Sequence, residues 1–169
     1  YYKMAADKGH ISAIVACGNN FEKGIGTCIN YREAIKLYKI AIENGSSNAM
    51  VHYGKMLDEG RGTLINKEEA CKYYKMAADK GNYFGMYNYA SILEAGSGVT
   101  QNYEEACEYY KKGANFGHSK SMVRYAMMLY NGIGITKNID ESCKYFKMAA
   151  DEGNSEGMLQ YGIRLINGE

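Results

Sequence analysis

Three cysteines, Cys71, Cys107 and Cys143, recur 36 residues apart. Thiols at a fixed interval could form a disulfide ladder or a strip of soft metal ligands. Other residues also invite chemical readings. His10 and His118 fall at one shared position of the same 36-residue spacing, and His52 stands apart. Gly-x-Gly triplets begin at Gly24, Gly60, Gly96 and Gly132, and such triplets can cradle phosphate. Asn44-Gly45-Ser46 has the form of an N-glycosylation acceptor.

Most of this chemistry fails on spacing. Equivalent residues of stacked helical units lie one helix spacing apart, roughly 8–10 Å. A disulfide needs Cα atoms within about 7 Å. The cysteines, with Cys17 and Cys28 as singletons, are therefore expected to be reduced, mostly buried thiols that behave as small hydrophobes. That favours a reducing, cytoplasmic setting. No histidine has a Cys, His or carboxylate at zinc-ligand spacing, so no metal site and no cofactor is expected. A Gly-x-Gly signals phosphate only between a strand and a helix. Here it recurs as punctuation after helical segments. The sequon sits where a helix C-terminus would place Asn and Gly in any case. No nucleophile has a paired base, and no catalysis by this segment is expected.

The spacing itself is the larger signal. Gly9, Gly45, Gly81, Gly117 and Gly153 also fall 36 residues apart, closing variants of one phrase: YYKMAADKG, CKYYKMAADKG at 71–81 and CKYFKMAADEG at 143–153. A fixed period in this range marks a solenoid. The 169 residues hold about 4.7 such units, read as a single array with repeat boundaries near 30, 66, 102 and 138. Composition agrees. There are 20 glycines and no proline, and 20 Lys+Arg balance 19 Asp+Glu. The even charge argues against nucleic acid, and no apolar run reaches the roughly 20 residues of a membrane span.

Each unit reads as two helices. Helix A starts at an asparagine cap with glutamate three residues on: Asn30/Glu33, Asn66/Glu69, Asn102/Glu105 and Asn138/Glu141. Its apolar face is Ala70, Tyr73, Tyr74, Ala77 and Ala78, and Gly81 closes it. Helix B runs from roughly Tyr83 to Ala95, and from Asn48 to Glu59 in the unit before. One of its columns is always small: Gly18, Gly54, Ala90, Ala126 and Gly162. This suggests that another helix backbone passes close by.

The pattern Ala49…Tyr53-Gly54…Leu57…Gly60-x-Gly62…Asn66…Ala70…Tyr73-Tyr74…Ala77-Ala78…Gly81 resembles the Sel1-like repeat, a relative of the tetratricopeptide repeat. The resemblance implies an all-α, right-handed α/α superhelix of antiparallel helix pairs. It also implies a scaffold that assembles protein complexes, with helix A lining the concave side. Family members serve in endoplasmic-reticulum quality control, cell-wall synthesis and bacterial host interaction, and some repeat regions stand beside protein kinase domains. Some cysteine-rich members have been linked to penicillin binding. Those relatives pair two cysteines in each repeat, and this chain lacks the second.

On a helical wheel the face of helix A opposite Ala70 and Tyr74 carries stripes. One is lysine throughout: Lys3, Lys39, Lys75, Lys111 and Lys147. Beside it run Met4, Ile40, Met76, Lys112 and Met148, then Asp7, Glu43, Asp79, Asn115 and Asp151. Charged pairs on a solvated face would explain the charges. Apolar residues within a charged stripe fit a groove for a partner polypeptide better. The candidate binding residues are Lys39, Ile40, Lys72, Lys75, Met76, Lys111, Lys112, Lys147 and Met148. The alternative is a regulatory repeat region of a larger enzyme such as a kinase. Tyr1, Tyr2, Leu165 and Ile166 belong to ordinary repeat faces rather than polar caps, so the segment is expected to come from a longer array.

Overall fold

The computed structural model of the chain describes residues 2–168; Tyr1, Glu169 and the side chains of Tyr2, Lys3 and Asp7 lie outside the described residues. The expectations placed on Tyr1, Tyr2, Lys3 and Asp7 therefore fall outside it. Among the described residues there are ten α-helices and no strand. They are α1 (Tyr2–Asp7), α2 (Ile11–Lys23), α3 (Tyr31–Glu43), α4 (Ser47–Glu59), α5 (Lys67–Asp79), α6 (Tyr83–Ala95), α7 (Tyr103–Asn115), α8 (Ser119–Asn131), α9 (Ile139–Asp151) and α10 (Ser155–Asn167). The odd-numbered helices are helix A and the even-numbered ones helix B. The chain divides into two compact units, Tyr1–Gly85 and Met86–Glu169.

The helix starts follow from the cap residues. Asn30, Asn66, Asn102 and Asn138 accept a side-chain hydrogen bond from the backbone N–H of Glu33, Glu69, Glu105 and Glu141, at 3.0–3.1 Å. Such a cap contributes about 1 kcal/mol. Each cap N–H donates to a carbonyl of the preceding helix B: Phe21, Leu57, Leu93 and Leu129, at 2.8–3.0 Å. The carboxylates of Glu69, Glu105 and Glu141 accept from the asparagine amide at 3.2–3.3 Å. Those backbone bonds fix where each B-to-A loop lands. The turn from A to B uses Gly45, Gly81, Gly117 and Gly153 with φ near +80°, a conformation that favours glycine.

Packing follows the predicted faces. Ala70, Tyr74, Ala77 and Ala78 are buried on α5, and Tyr73 is half-buried. In the second unit Ala114, Met122, Val123, Ala126, Phe146 and Ala149 form one cluster. The small column of helix B is buried at Gly18, Gly54, Ala90 and Ala126, but its neighbour differs from the expectation. A Cβ at Gly18 or Gly54 would lie 2.7 or 2.8 Å from the ring of Tyr38 or Tyr74. An aromatic ring of the following helix A, not a backbone, fills the space. The backbone approach lies five residues earlier in helix B. A Cβ at Gly85 would lie 2.7 Å from both Ala77 Cβ and Ala78 N, and one at Gly157 would lie 2.7 Å from Ala149 Cβ. On α7 and α8 the sizes are exchanged. Gly113 faces buried Ser121, whose Oγ would lie 2.5 Å from a Cβ at 113.

Candidate functional site

In the first unit the candidate side chains lie on the outward faces of α3 and α5. Lys39, Ile40, Lys72, Lys75 and Met76 are all exposed. They are outward because the opposite side of each helix is committed to alanines and a buried tyrosine. The Lys39 ammonium lies 5.3 Å from the centroid of the Tyr53 ring, and Tyr53 packs edge-on against Tyr73 at 4.9 Å. Met76, Tyr73, Lys72, Glu68, Glu69 and Asn66 line a shallow hollow on α5. Lys72 pairs with Glu68 at 2.7 Å, holding that carboxyl below its ordinary range through their hydrogen bond and charge.

The second unit repeats this arrangement with a variation. Lys111, Lys112, Lys147 and Met148 are exposed. Lys111 lies 5.5 Å from the Tyr125 ring centroid, and Tyr125 packs edge-on against Tyr145 at 4.8 Å. On α9, Asn138, Asp140, Glu141, Lys144, Tyr145 and Met148 line a hollow at the positions equivalent to those on α5. On α7 the methionine position is Lys112, whose ammonium sits 4.3 Å from the Tyr109 ring centroid. The tyrosine floor was not among the candidates. Its signal was the recurrence of Tyr53, Tyr89 and Tyr125 beside the pairs Tyr73-Tyr74, Tyr109-Tyr110 and Tyr145-Phe146. Glu43, Asp79, Asn115 and Asp151 are exposed along the same helices.

A buried polar cluster in the first unit lies apart from these faces. The Tyr38 hydroxyl donates to Glu22 at 2.7 Å, and Arg61 donates to the other oxygen of Glu22 at 3.2 Å. His52 stacks on Tyr38 at 5.0 Å and brings Nδ1 within 3.6 Å of Glu22. Burial alone would raise the Glu22 pKa. The nearby His52 ring, the hydrogen bond from Tyr38 and the charge of Arg61 outweigh it and hold the carboxyl down at about 2. His52 is half-buried, its ring covering Tyr38.

The second unit carries the same plan. Tyr110 donates to Glu94 at 2.8 Å, and Arg124, at the repeat position of His52, pairs with Glu94. One repeat later the acid is Tyr130 and the tyrosine is Phe146, so hydroxyl and acceptor are lost together. Arg164 stacks over Tyr130 at 3.8 Å. Phe146→Tyr alone is therefore expected to destabilise by about 1–3 kcal/mol, the cost of a buried hydroxyl without a partner. Adding Tyr130→Glu, which restores an acceptor beside Arg164, is expected to recover part of that. Urea unfolding of the single and double variants measures both, and no loss in the single variant would contradict the pairing.

The other chemical candidates resolve structurally. None of the five cysteines is in a disulfide; Cys71 and Cys107 are buried, Cys17 and Cys143 are intermediate, and Cys28 is exposed in its loop. Burial pushes the Cys107 thiol up to about 11, which keeps it protonated and unreactive. His10 and His118 stand at the residue before α2 and α8, and His118 Nδ1 shares a 2.8 Å hydrogen bond with Ser121. Asn44 ends α3 with its amide donating to Ile40 O at 2.8 Å, and Ser46 caps α4, so the whole triplet serves the turn. Among the described residues no three His, Cys, Asp or Glu side chains converge on a metal position. None of their helices is long and apolar enough to cross a membrane.

The Sel1 repeat pattern matches residues 1–10, 11–46, 47–82, 84–118 and 119–154. The chain belongs to the Sel1 repeat family. Each later match starts at or next to the first residue of a helix B and ends after the following helix A. Among solved Sel1 structures, a protective antigen present in uropathogenic Escherichia coli strains, displaying an SLR fold, is 29% identical with a TM-score of 0.90. The match covers 99% of this chain and 36% of that one. A Sel1 repeat protein from Oxalobacter formigenes is 30% identical with a TM-score of 0.85, covering 95% of this chain and 64% of that one. The chain thus spans about a third and just under two thirds of these two relatives. Helicobacter pylori cysteine rich protein B shares the fold at 22% identity and a TM-score of 0.59. Comparison with curated proteins finds no match. These neighbours agree with the all-α solenoid expected from the Sel1-like pattern. Sel1 repeat proteins are generally protein-interaction scaffolds, a non-catalytic type of repeat.

Proposed function

We propose that the chain binds a partner polypeptide on the outward helix-A faces, the side that the resemblance makes concave, and that these residues perform no catalysis. The observation that carries this reading is the exposure of Ile40, Met76 and Met148 within faces otherwise lined by lysine. Exposed methionine among charges is a poor choice for a solvated surface and a good one for adaptable recognition. Apolar contacts at Met76 and Met148 supply most of the affinity, since a few anchors dominate an interface. Lys39, Lys75, Lys111 and Lys147 set orientation and association rate.

Capture with the protein as bait followed by mass spectrometry supplies the partner for the test. Met76→Glu with Met148→Glu is expected to weaken its binding by at least about tenfold with unchanged thermal stability. Lys75→Glu with Lys111→Glu is expected to slow association and flatten its salt dependence. Full affinity in the methionine pair, with loss on changing the exposed helix-B residue Lys55, would move the binding face to the other side of the helix pairs.

A further inference from the structure

The repeat supplies its own control for surface residues. The second residue of helix B is exposed and polar at Ser12, Asn48, Lys120 and Glu156, but in α6 it is Phe84. The residue before it is serine in α4, α8 and α10, but in α6 it is Tyr83. Tyr83 is 39% exposed and Phe84 47% exposed, with ring centroids 4.4 Å apart and the rings tilted by 43°. Starting a helix B requires neither ring, since α4, α8 and α10 begin without them. Two aromatic side chains left in water where the fold asks for none point to a ligand.

The rings flank a hollow between two A-to-B turns of the first unit, which Ser47, Asn48, Lys80 and Asn82 also line. The Asn82 amide donates to Asn48 Oδ1 at 2.7 Å and to Ser47 Oγ at 3.3 Å. With its carbonyl held there, the Asn48 amide keeps its N–H groups for an outside acceptor. Lys80 is exposed and makes no ion pair among the described residues. The hollow thus presents aromatic faces, an oriented amide donor and a cation. A helical ligand has few carbonyls to spare for that donor. A β-strand needs an open sheet edge, which helix ends do not supply. A polyproline II segment has no internal hydrogen bonds, so its carbonyls are available, and its proline rings suit aromatic surfaces.

We infer that this hollow docks an extended, proline-rich peptide segment that carries an acidic residue. Proline rings lie against Tyr83 and Phe84, a backbone carbonyl accepts from Asn48, and the carboxylate pairs with Lys80. The site shares no residue with the helix-A faces and goes beyond the function proposed for them. The test uses the full chain and a fluorescein-labelled peptide of ten prolines with a glutamate at each end. Its control is a Gly-Ser peptide of the same length with the same two glutamates. The proline peptide is expected to bind at least about tenfold more tightly than the control and to shift the Asn48 side-chain amide in NMR spectra. Phe84→Asn installs the residue that α4 carries at this position. It is expected to weaken binding at least about tenfold with an unchanged melting temperature. Lys80→Glu is expected to weaken binding at low salt and much less at high salt. Met76→Glu with Met148→Glu, the variant of the helix-A faces, is expected to leave this binding unchanged. No binding of the proline peptide, equal affinity for the two peptides, or full affinity in Phe84→Asn overturns the inference. Loss in the methionine pair alone moves the peptide to the helix-A faces and also overturns it. Self-association of the chain that disappears in Phe84→Asn overturns it in favour of a second copy.

Discussion

Acidification is expected to remove about 3 kcal/mol of stability through Glu22 alone, between roughly pH 5 and pH 2. The carboxyl titrates near 4.5 when unfolded and near 2 when folded. Above the unfolded value both states hold it ionised, and the stabilisation from Tyr38 and Arg61 is fully present. As pH falls below that value the unfolded chain takes up the proton first, and stability declines until the folded carboxyl is also protonated. About 2.5 pKa units at 1.36 kcal/mol each sets the size of the loss. Urea unfolding across this range, in the native chain and in Glu22→Gln, isolates the contribution. The native curve should fall more steeply, and parallel curves for the two proteins would refute the assignment.

Gly54→Leu is expected to destabilise by about 3 kcal/mol or more, at the upper end of overpacking costs. The first carbon of the new side chain would sit 2.8 Å from the Tyr74 ring, and Tyr74 is itself buried. Helix propensity pulls the other way, favouring leucine by close to 1 kcal/mol. Gly162→Leu supplies the control, because it occupies the same column with open space around it. It should be neutral or mildly stabilising in isolated protein. Thermal melts of both variants decide the matter, and similar midpoints for the two would show that the Tyr74 contact does not limit the column.

The fold was legible because its instructions are local and repeated. The Asn-x-x-Glu starts, the glycines near φ +80° and the alanine–tyrosine face of helix A are each written four or five times in register. The nine candidate binding residues were legible as exposed for the same reason, since the wheel of one helix is a local property. The Glu22 cluster was not. Its members come from α2, α3, α4 and the loop that follows α4, and Tyr38 lies 16 residues from Glu22 while Arg61 lies 39 away. No single-helix pattern joins such positions. His52 stood alone because the position is Asn88 one repeat on and Arg124 two repeats on, the latter a different residue with the same partner type. The small column was recognised but its neighbour was not, because missing bulk cannot distinguish a ring from a backbone.

The size exchange at the A–B crossing bears on how such arrays can be edited. Ala77 stands against Gly85 and Ala149 against Gly157, whereas Gly113 stands against Ser121. A genetic crossover that joined α5 to α8 would bring alanine against serine where there is room for only one side chain. The reciprocal joint of α7 to α6 would leave glycine opposite glycine and a void. A crossover between complete A–B pairs keeps every match at this A-to-B crossing. Duplication and deletion in this gene should therefore move whole 36-residue cassettes cut at the Gly-x-Gly loops, and hybrid proteins cut inside the A-to-B turn should be the ones that fail to express.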